Sequence, residues 1–207
     1  MDVPKITELE ENADLEGFVE DEQFEALKDA ADELWLRALL VTAYDFGFRC
    51  GELSNLRVRQ ISLKQRKIEL PAENTKNKTP RNVVMTDQVY DLRKQSVSGK
   101  GTDDFVLTRD GKPVLDFRGA WWALCEKAGL GKFVGKQWHG LLFHEFRRSA
   151  ARNFVRAGVS GKVVMQTTGH NRVACLTATT SPLRRTWLKQ QRSYRKAVLR
   201  LKLRLRI

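Results

Sequence analysis

Apolar residues fall at helical spacing early in this chain and then, past Leu56, at the two-residue spacing of strands. Phe24, Leu27, Ala30 and Ala31 mark one helix between Glu20 and Leu34, and Leu36, Leu39, Leu40 and Ala43 mark a denser one from Glu33 to Phe46. Two packed helices follow from this. Gly47 can end the second in a left-handed cap, and Glu52 to Leu56 can start a short third helix. Lys67 to Pro71 and Asn82 to Met85 are short branched-residue runs on either side of the polar stretch Glu73 to Pro80, which predicts a β-hairpin with a basic tip. Ser96 to Asp104 reads as a polar connector and Phe105 to Leu107 as a third strand. Asp116 to Ala128 reads as a helix with Trp122 and Cys125 or Leu124 facing inward. Two further helices run from Glu145 to Ala157, ended by Gly158, and from Ser160 to Thr168, ended by Gly169, with Ser160 as an N-cap. No internal repeat is present. The expected class is α+β, mainly α, with one small antiparallel β-sheet.

A chain of 207 residues, 42% of them hydrophobic, can bury one core of ordinary size. The expected organisation is a mobile acidic lead-in over 1–15, a single domain over 16–180, and a basic tail over 181–207 that is disordered or loosely helical. No apolar run approaches the roughly 18 residues of a membrane span, and the first residues lack the apolar core of a signal peptide. A soluble, cytoplasmic protein with no membrane partner is expected. Cys50, Cys125 and Cys175 are odd in number and far apart, with no CxxC pair. They read as packing residues rather than a disulfide framework or zinc site.

The net charge of +12 matters less than its distribution. Up to Glu145 the chain holds 21 Lys and Arg against all 25 Asp and Glu, whereas the last 62 residues carry 16 basic groups and no acid. Such an asymmetry points to a polyanion, most simply nucleic acid, although a basic tail can also be just a solvated end.

Three segments place a strong base beside a helix terminus. Arg49 sits in the turn between two helices, within Gly47-Phe48-Arg49-Cys50-Gly51-Glu52-Leu53. His144 and Arg147, at i and i+3, share one helix face. His170 follows Gly169 just past the last helix. Two guanidiniums and two imidazoles converging from helix ends would form a phosphate clamp, because arginine's planar fork matches phosphate oxygens in a bidentate way. Taken singly, each has a plainer reading: Arg49 as a surface ion-pair partner, His144 and Arg147 as decoration of an exposed face, His170 as a satisfied C-cap, and Lys76 or Lys78 as solvation of a hairpin tip.

In order and separation, Thr42 to Leu56, the hairpin lysine, His144-x-x-Arg147 and Gly169-His170 resemble the consecutive boxes of tyrosine recombinases, the phage integrase family, over about Glu16 to His170. The resemblance implies a helical recombinase-type catalytic domain and a DNA strand transferase acting in site-specific recombination or integration. Its partner would be duplex DNA, on which homo-oligomers can form, and it would need no metal or cofactor. It also implies that Arg49 and Arg147 bind the nonbridging phosphate oxygens, that His144 and His170 hydrogen-bond the phosphate, and that Lys76 protonates the leaving 5′-oxygen. Lys78 is the neighbouring alternative to Lys76, and Lys78, Arg148, Arg184 and Arg185 are expected to contact DNA. Fixed cations are the groups a phosphoryl transition state requires, and a departing alkoxide needs a proton.

The chain departs from the family at the nucleophile. The family's tyrosine falls about nine residues after the histidine of the Gly-His pair, where this chain has Thr179, and no tyrosine lies between Tyr90 and Tyr194. A threonine hydroxyl is no substitute, since its pKa lies far above tyrosine's ~10. The N-terminal arm domain with which full-length members encircle DNA is not evident either. The residues after about Val173 read as a frameshifted recombinase C-terminus, because an acid-free end closing on Leu199-Arg200-Leu201-Lys202-Leu203-Arg204 has neither turn punctuation nor a helical apolar face. Codons TGT TTG ACC GCT ACA ACA TCA CCN spell Cys175 to Pro182, and from their third base they read Phe-Asp-Arg-Tyr-Asn-Ile-Thr, with the tyrosine codon beginning inside that of Ala178. The expectation is therefore a recombinase domain inactive for strand cleavage. The alternatives are a noncatalytic DNA-binding remnant or regulator of the same fold, and an unrelated basic nucleic-acid-binding protein.

Overall fold

The computed structural model describes residues 17–75 and 78–170. Helix α1 (Asp21–Ala30) opens on Glu20, whose backbone N–H donates to Gln23 Oε1 at 3.0 Å, and buries Phe24 and Leu27. Helix α2 (Leu34–Phe46) is apolar nearly all round and forms the centre of the core, with α1 packed on it. Its C-cap Gly47 has φ +65°, and the Gly47 N–H donates to Ala43 O at 2.8 Å. A left-handed residue is what lets the chain turn there into the short helix α3 (Cys50–Ser54).

The expected hairpin is present as β2 (Lys67–Leu70) and β3 (Arg81–Val84), antiparallel with Leu70 opposite Arg81 and Lys67 opposite Val84. The third strand is β1 (Ile61–Ser62), not Phe105–Leu107. Phe105 makes only an isolated bridge to Arg57, and Val106 and Leu107 are core residues, so that run is apolar because it is buried rather than because it is paired. Helix α4 (Asp87–Val97) was not expected and takes in the start of the Ser96–Asp104 connector. Thr86 caps it, accepting from Val89 N–H at 3.3 Å. Its inner face carries Arg93, fully buried, which donates to Thr42 Oγ1 of α2 at 2.6 Å. A charged residue at a core position breaks the apolar period from which a helix is read.

The hairpin β4 (Thr108–Arg109) and β5 (Lys112–Pro113) precedes α5 (Arg118–Lys127). On α5 the inward tryptophan is Trp121, with Leu124 and Cys125. Trp122 is only half-buried, one position round the helix, and lies under a second unexpected hairpin, β6 (Gly131–Val134) and β7 (Gln137–Gly140). Helix α6 (Glu145–Arg156) lies across α2 and buries Phe146, Arg147, Ala150 and Ala151. Helix α7 (Gly161–Thr168) packs on α6 and touches β3. Ser160 occupies its N-cap position without a side-chain capping bond, and Gly169 ends it with φ +73°. A continuous aromatic stack joins these layers, from Tyr44 on Phe24 (3.8 Å) through Phe146 to Phe143 and Trp121. The chain is thus mainly helical, with small antiparallel sheets. Among the described residues no helix is long and apolar enough to cross a membrane. Of the cysteines, Cys125 is buried, Cys50 is exposed rather than packed, and Cys175 lies outside the described residues.

Candidate phosphate-binding site

The turn that Gly47 creates delivers Arg49 to the N-cap of α3. Glu52, three residues on, folds back onto it: Arg49 N–H donates to Glu52 Oε2 at 2.8 Å, and Arg49 Nη1 to Glu52 Oε1 at 3.0 Å. Arg49 Nη2 reaches the carbonyl of Gly169 at 3.5 Å. From the other side, Arg147 in the first turn of α6 donates through Nη1 to Gly47 O at 2.9 Å and also to Thr168 O. Both arginines thus reach the carbonyls at the end of α7, Arg49 at Gly169 and Arg147 at Thr168, and Arg147 also ties that end to the Gly47 corner. Gly47 has to be glycine on two counts, since a Cβ there would also lie 3.2 Å from Arg147 Cα and from Ala150 Cβ.

His170 lies at the end of α7, where the Thr168 hydroxyl meets its Nδ1 at 2.6 Å. That hydroxyl has one proton and donates it to Val164 O at 2.7 Å, so Nδ1–H donates to Thr168 and Nε2 is left with its lone pair. Burial lowers the His170 pKa to about 4, helped in order by the charges of Arg147, Arg49, His144 and Arg81. His144, at the N-cap of α6, is exposed.

Two members of the cluster were not singled out from the sequence. Arg81, the first residue of β3, is buried and pairs through Nη2 with Glu52 Oε2 at 2.5 Å, donates from Nη1 to Thr167 O at 3.1 Å, and lies 5.0 Å from the Phe48 ring. Its guanidinium fills the space a Cβ on Gly169 would need, with the nearest atom 2.8 Å away. Burial lowers its pKa, and Glu52 opposes that shift. Glu52, 3% exposed in its side chain, thus bridges Arg49 and Arg81. The Arg49-x-x-Glu52 spacing of a capping box was the readable signal for Glu52, and the inward alternation of Arg81 with Val83 for Arg81. Two guanidiniums share this carboxylate and Arg147 lies close by on the Gly47 and Thr168 carbonyls, which leaves an excess of positive charge suited to an anion.

The remaining expected site residues fall elsewhere. Lys78 is exposed on the β2–β3 tip with φ +49°. Arg148 is half-buried, its guanidinium 5.3 Å from the Phe18 ring. Lys76, Thr179, Arg184 and Arg185 lie outside the described residues. Among the described residues no three His, Cys, Asp or Glu side chains gather where they could hold a metal ion.

The chain is similar in fold to the XerA recombinase (20% identity, TM-score 0.65, 84% of this chain and 65% of that one). It is likewise similar to the catalytic domain of bacteriophage HP1 integrase (19%, 0.60, 80% and 87%). A third likeness is to lambda integrase, solved as a dimer bound to a COC′ core site (16%, 0.61, 79% and 47%). The chain thus spans just under two thirds of the XerA chain. No curated protein matches. The phage integrase family model matches residues 17–179, most of the sequence, and the chain accordingly belongs to the phage integrase family.

Proposed function

We propose that this chain is a recombinase catalytic domain that grips a phosphodiester of duplex DNA without forming a covalent link to it. The observation that carries the reading is the meeting of Arg49, Arg147 and His170 at the Gly47 and Gly169 corners, with Glu52 and Arg81 behind them. Arg49 and Arg147 would hold the nonbridging oxygens. His170 and His144 would hydrogen-bond the phosphate, and Lys76 would protonate a leaving 5′-oxygen. Site-specific recombination or integration is the family role this serves, on duplex DNA and in homo-oligomers.

The nucleophile is what this chain lacks. Of its three tyrosines, Tyr44 stacks on Phe24 and donates its hydroxyl to Asp21, and burial raises its pKa to about 12; Tyr90 lies under the Arg66 guanidinium at 4.4 Å. Tyr44 is therefore not a poised phenolate. Tyr194 lies 24 residues past His170.

Sequencing the coding DNA across residues 170–185 is the first step of the test. If the codons spell Phe-Asp-Arg-Tyr in a shifted frame, the frame-restored protein, supplied with DNA from the ends of its own element, should form a denaturant-stable covalent adduct. This chain should bind the same DNA and form none, and Arg49→Gln or Arg147→Gln should weaken that binding. An adduct formed by this chain would overturn the reading. Codons that do not spell that segment make the noncatalytic regulator the better account.

A further inference from the structure

We infer that the β6–β7 hairpin is a second DNA-contacting element, a finger that grips the backbone beside the phosphate site. The inference rests on the duplex-DNA reading above.

Its two faces differ in chemistry. In the observed register Phe133 pairs with Trp138, and both rings pack on Trp122 of α5, at 5.2 and 6.2 Å. The alternate positions, Lys132 opposite His139 and Val134 opposite Gln137, therefore face away from the domain. Lys136 sits in the two-residue turn, after Gly135 with φ +62°. Between Glu126 and Glu145 the chain has no acid, and among the described residues neither Lys132 nor Lys136 forms an ion pair. A hairpin serving only to cover α5 needs its aromatic face and nothing more. An outer face carrying cations with no compensating acid fits a polyanion.

The hairpin is also stiff and tied to the site. Its base is pinched, because a Cβ on Gly140 would run into Gly131 Cα and Leu130 O, and a Cβ on Gly131 into the Trp138 ring. The indole N–H groups of Trp121 and Trp138 both donate to Leu141 O, at 3.1 and 3.2 Å. That carbonyl lies three residues before His144. The chain from Gly140 to His144 can span at most about 14 Å, at ~3.5 Å per residue. Lys136, four residues further out, lies at most about 28 Å from His144 along the chain, so with strand phosphates about 3.4 Å apart along the duplex axis the finger reaches backbone within about eight base steps of a phosphate held at His144.

The test uses the full chain and a short duplex of arbitrary sequence, with affinity measured across a salt series. The double variant Lys132→Gln/Lys136→Gln should keep the wild-type Tm and flatten the log–log salt slope by about 1.8, about 0.9 for each phosphate that is no longer neutralised. A charge-matched control, Lys64→Gln/Lys94→Gln, alters exposed lysines on the β1–β2 turn and on α4 and should change it less. In the wild-type chain, bound duplex should also protect Lys132 and Lys136, but not Lys64, from acetylation. Binding by the wild type with hairpin and control variants indistinguishable, or with no protection, overturns the finger and leaves the duplex reading standing. Absence of wild-type binding even at low salt overturns both.

Discussion

Burial and neighbouring cations set the titration of the His170 imidazole. Its pKa near 4 in the folded chain compares with about 6.5 in an unfolded one, so on acidification the unfolded chain takes up the proton first. Stability carried by this group is present above about pH 6.5 and is lost as the pH falls toward 4. A bound phosphate offsets part of the positive field that lowers the His170 pKa, and Nε2 can hydrogen-bond a phosphate oxygen only once it carries a proton. Duplex binding should therefore take up a proton, and affinity at fixed salt should strengthen as the pH is lowered from 7.5 to 5.5. His170→Gln should remove most of that dependence; an unchanged dependence in the variant would assign it to another group. At this scale the spacing of chemistry-bearing residues pointed to Arg49, Arg147 and His170, which meet at the end of α7, whereas His144 is exposed at the N-cap of α6. Glu52 and Arg81 each carried a local signal, in the i, i+3 spacing and the strand alternation, but nothing in one dimension pairs them, because a buried acid between two arginines looks there like any surface ion pair.

At the scale of elements, the glycine corners control the clamp. Gly47→Ala should destabilise the fold by about 1–2 kcal/mol for the left-handed backbone alone, and by more because its Cβ would press on Arg147 Cα and Ala150 Cβ at 3.2 Å. Gly158→Ala, also at positive φ but facing open space, carries only the backbone cost. Thermal unfolding of the two variants distinguishes them, and equal losses of Tm would mean that the crowding at Gly47 relaxes without consequence. The strongly periodic helices α1, α2, α6 and α7 were legible for the same reason that they are stable, a clean apolar stripe. Helix α4 was not, because Arg93 interrupts its stripe, and β6–β7 was not, because its inward residues are two aromatics spread over strands of four residues bounded by glycine. The Phe105–Leu107 run misled because burial, not pairing, explains its composition.

For the whole molecule, charge and chain closure set the behaviour. Residues 183–207 hold ten Lys and Arg and no acid, so a chain ending at 182 falls from a net charge of +12 to +2. Its duplex affinity should drop and its salt slope flatten, yet binding should persist at low salt through the folded clamp. Complete loss would move the affinity to the tail and favour a basic protein with no use for Arg49 or Arg147. The clamp itself depends on a long-range contact. Val19 N–H donates to Ser149 Oγ at 2.7 Å across 130 residues of sequence, Arg152 binds Val19 O and Glu20, and the Phe18 ring lies against both Arg148 and Arg152. Closing a loop of that length costs about 4 kcal/mol of chain entropy beyond a constant before any contact offsets it. The helix that presents Arg147 is thus fully seated only when the start of the domain has been brought back across it. A polypeptide emerging from the ribosome can build α1 to α5 and still hold no grip on phosphate until its final helices arrive.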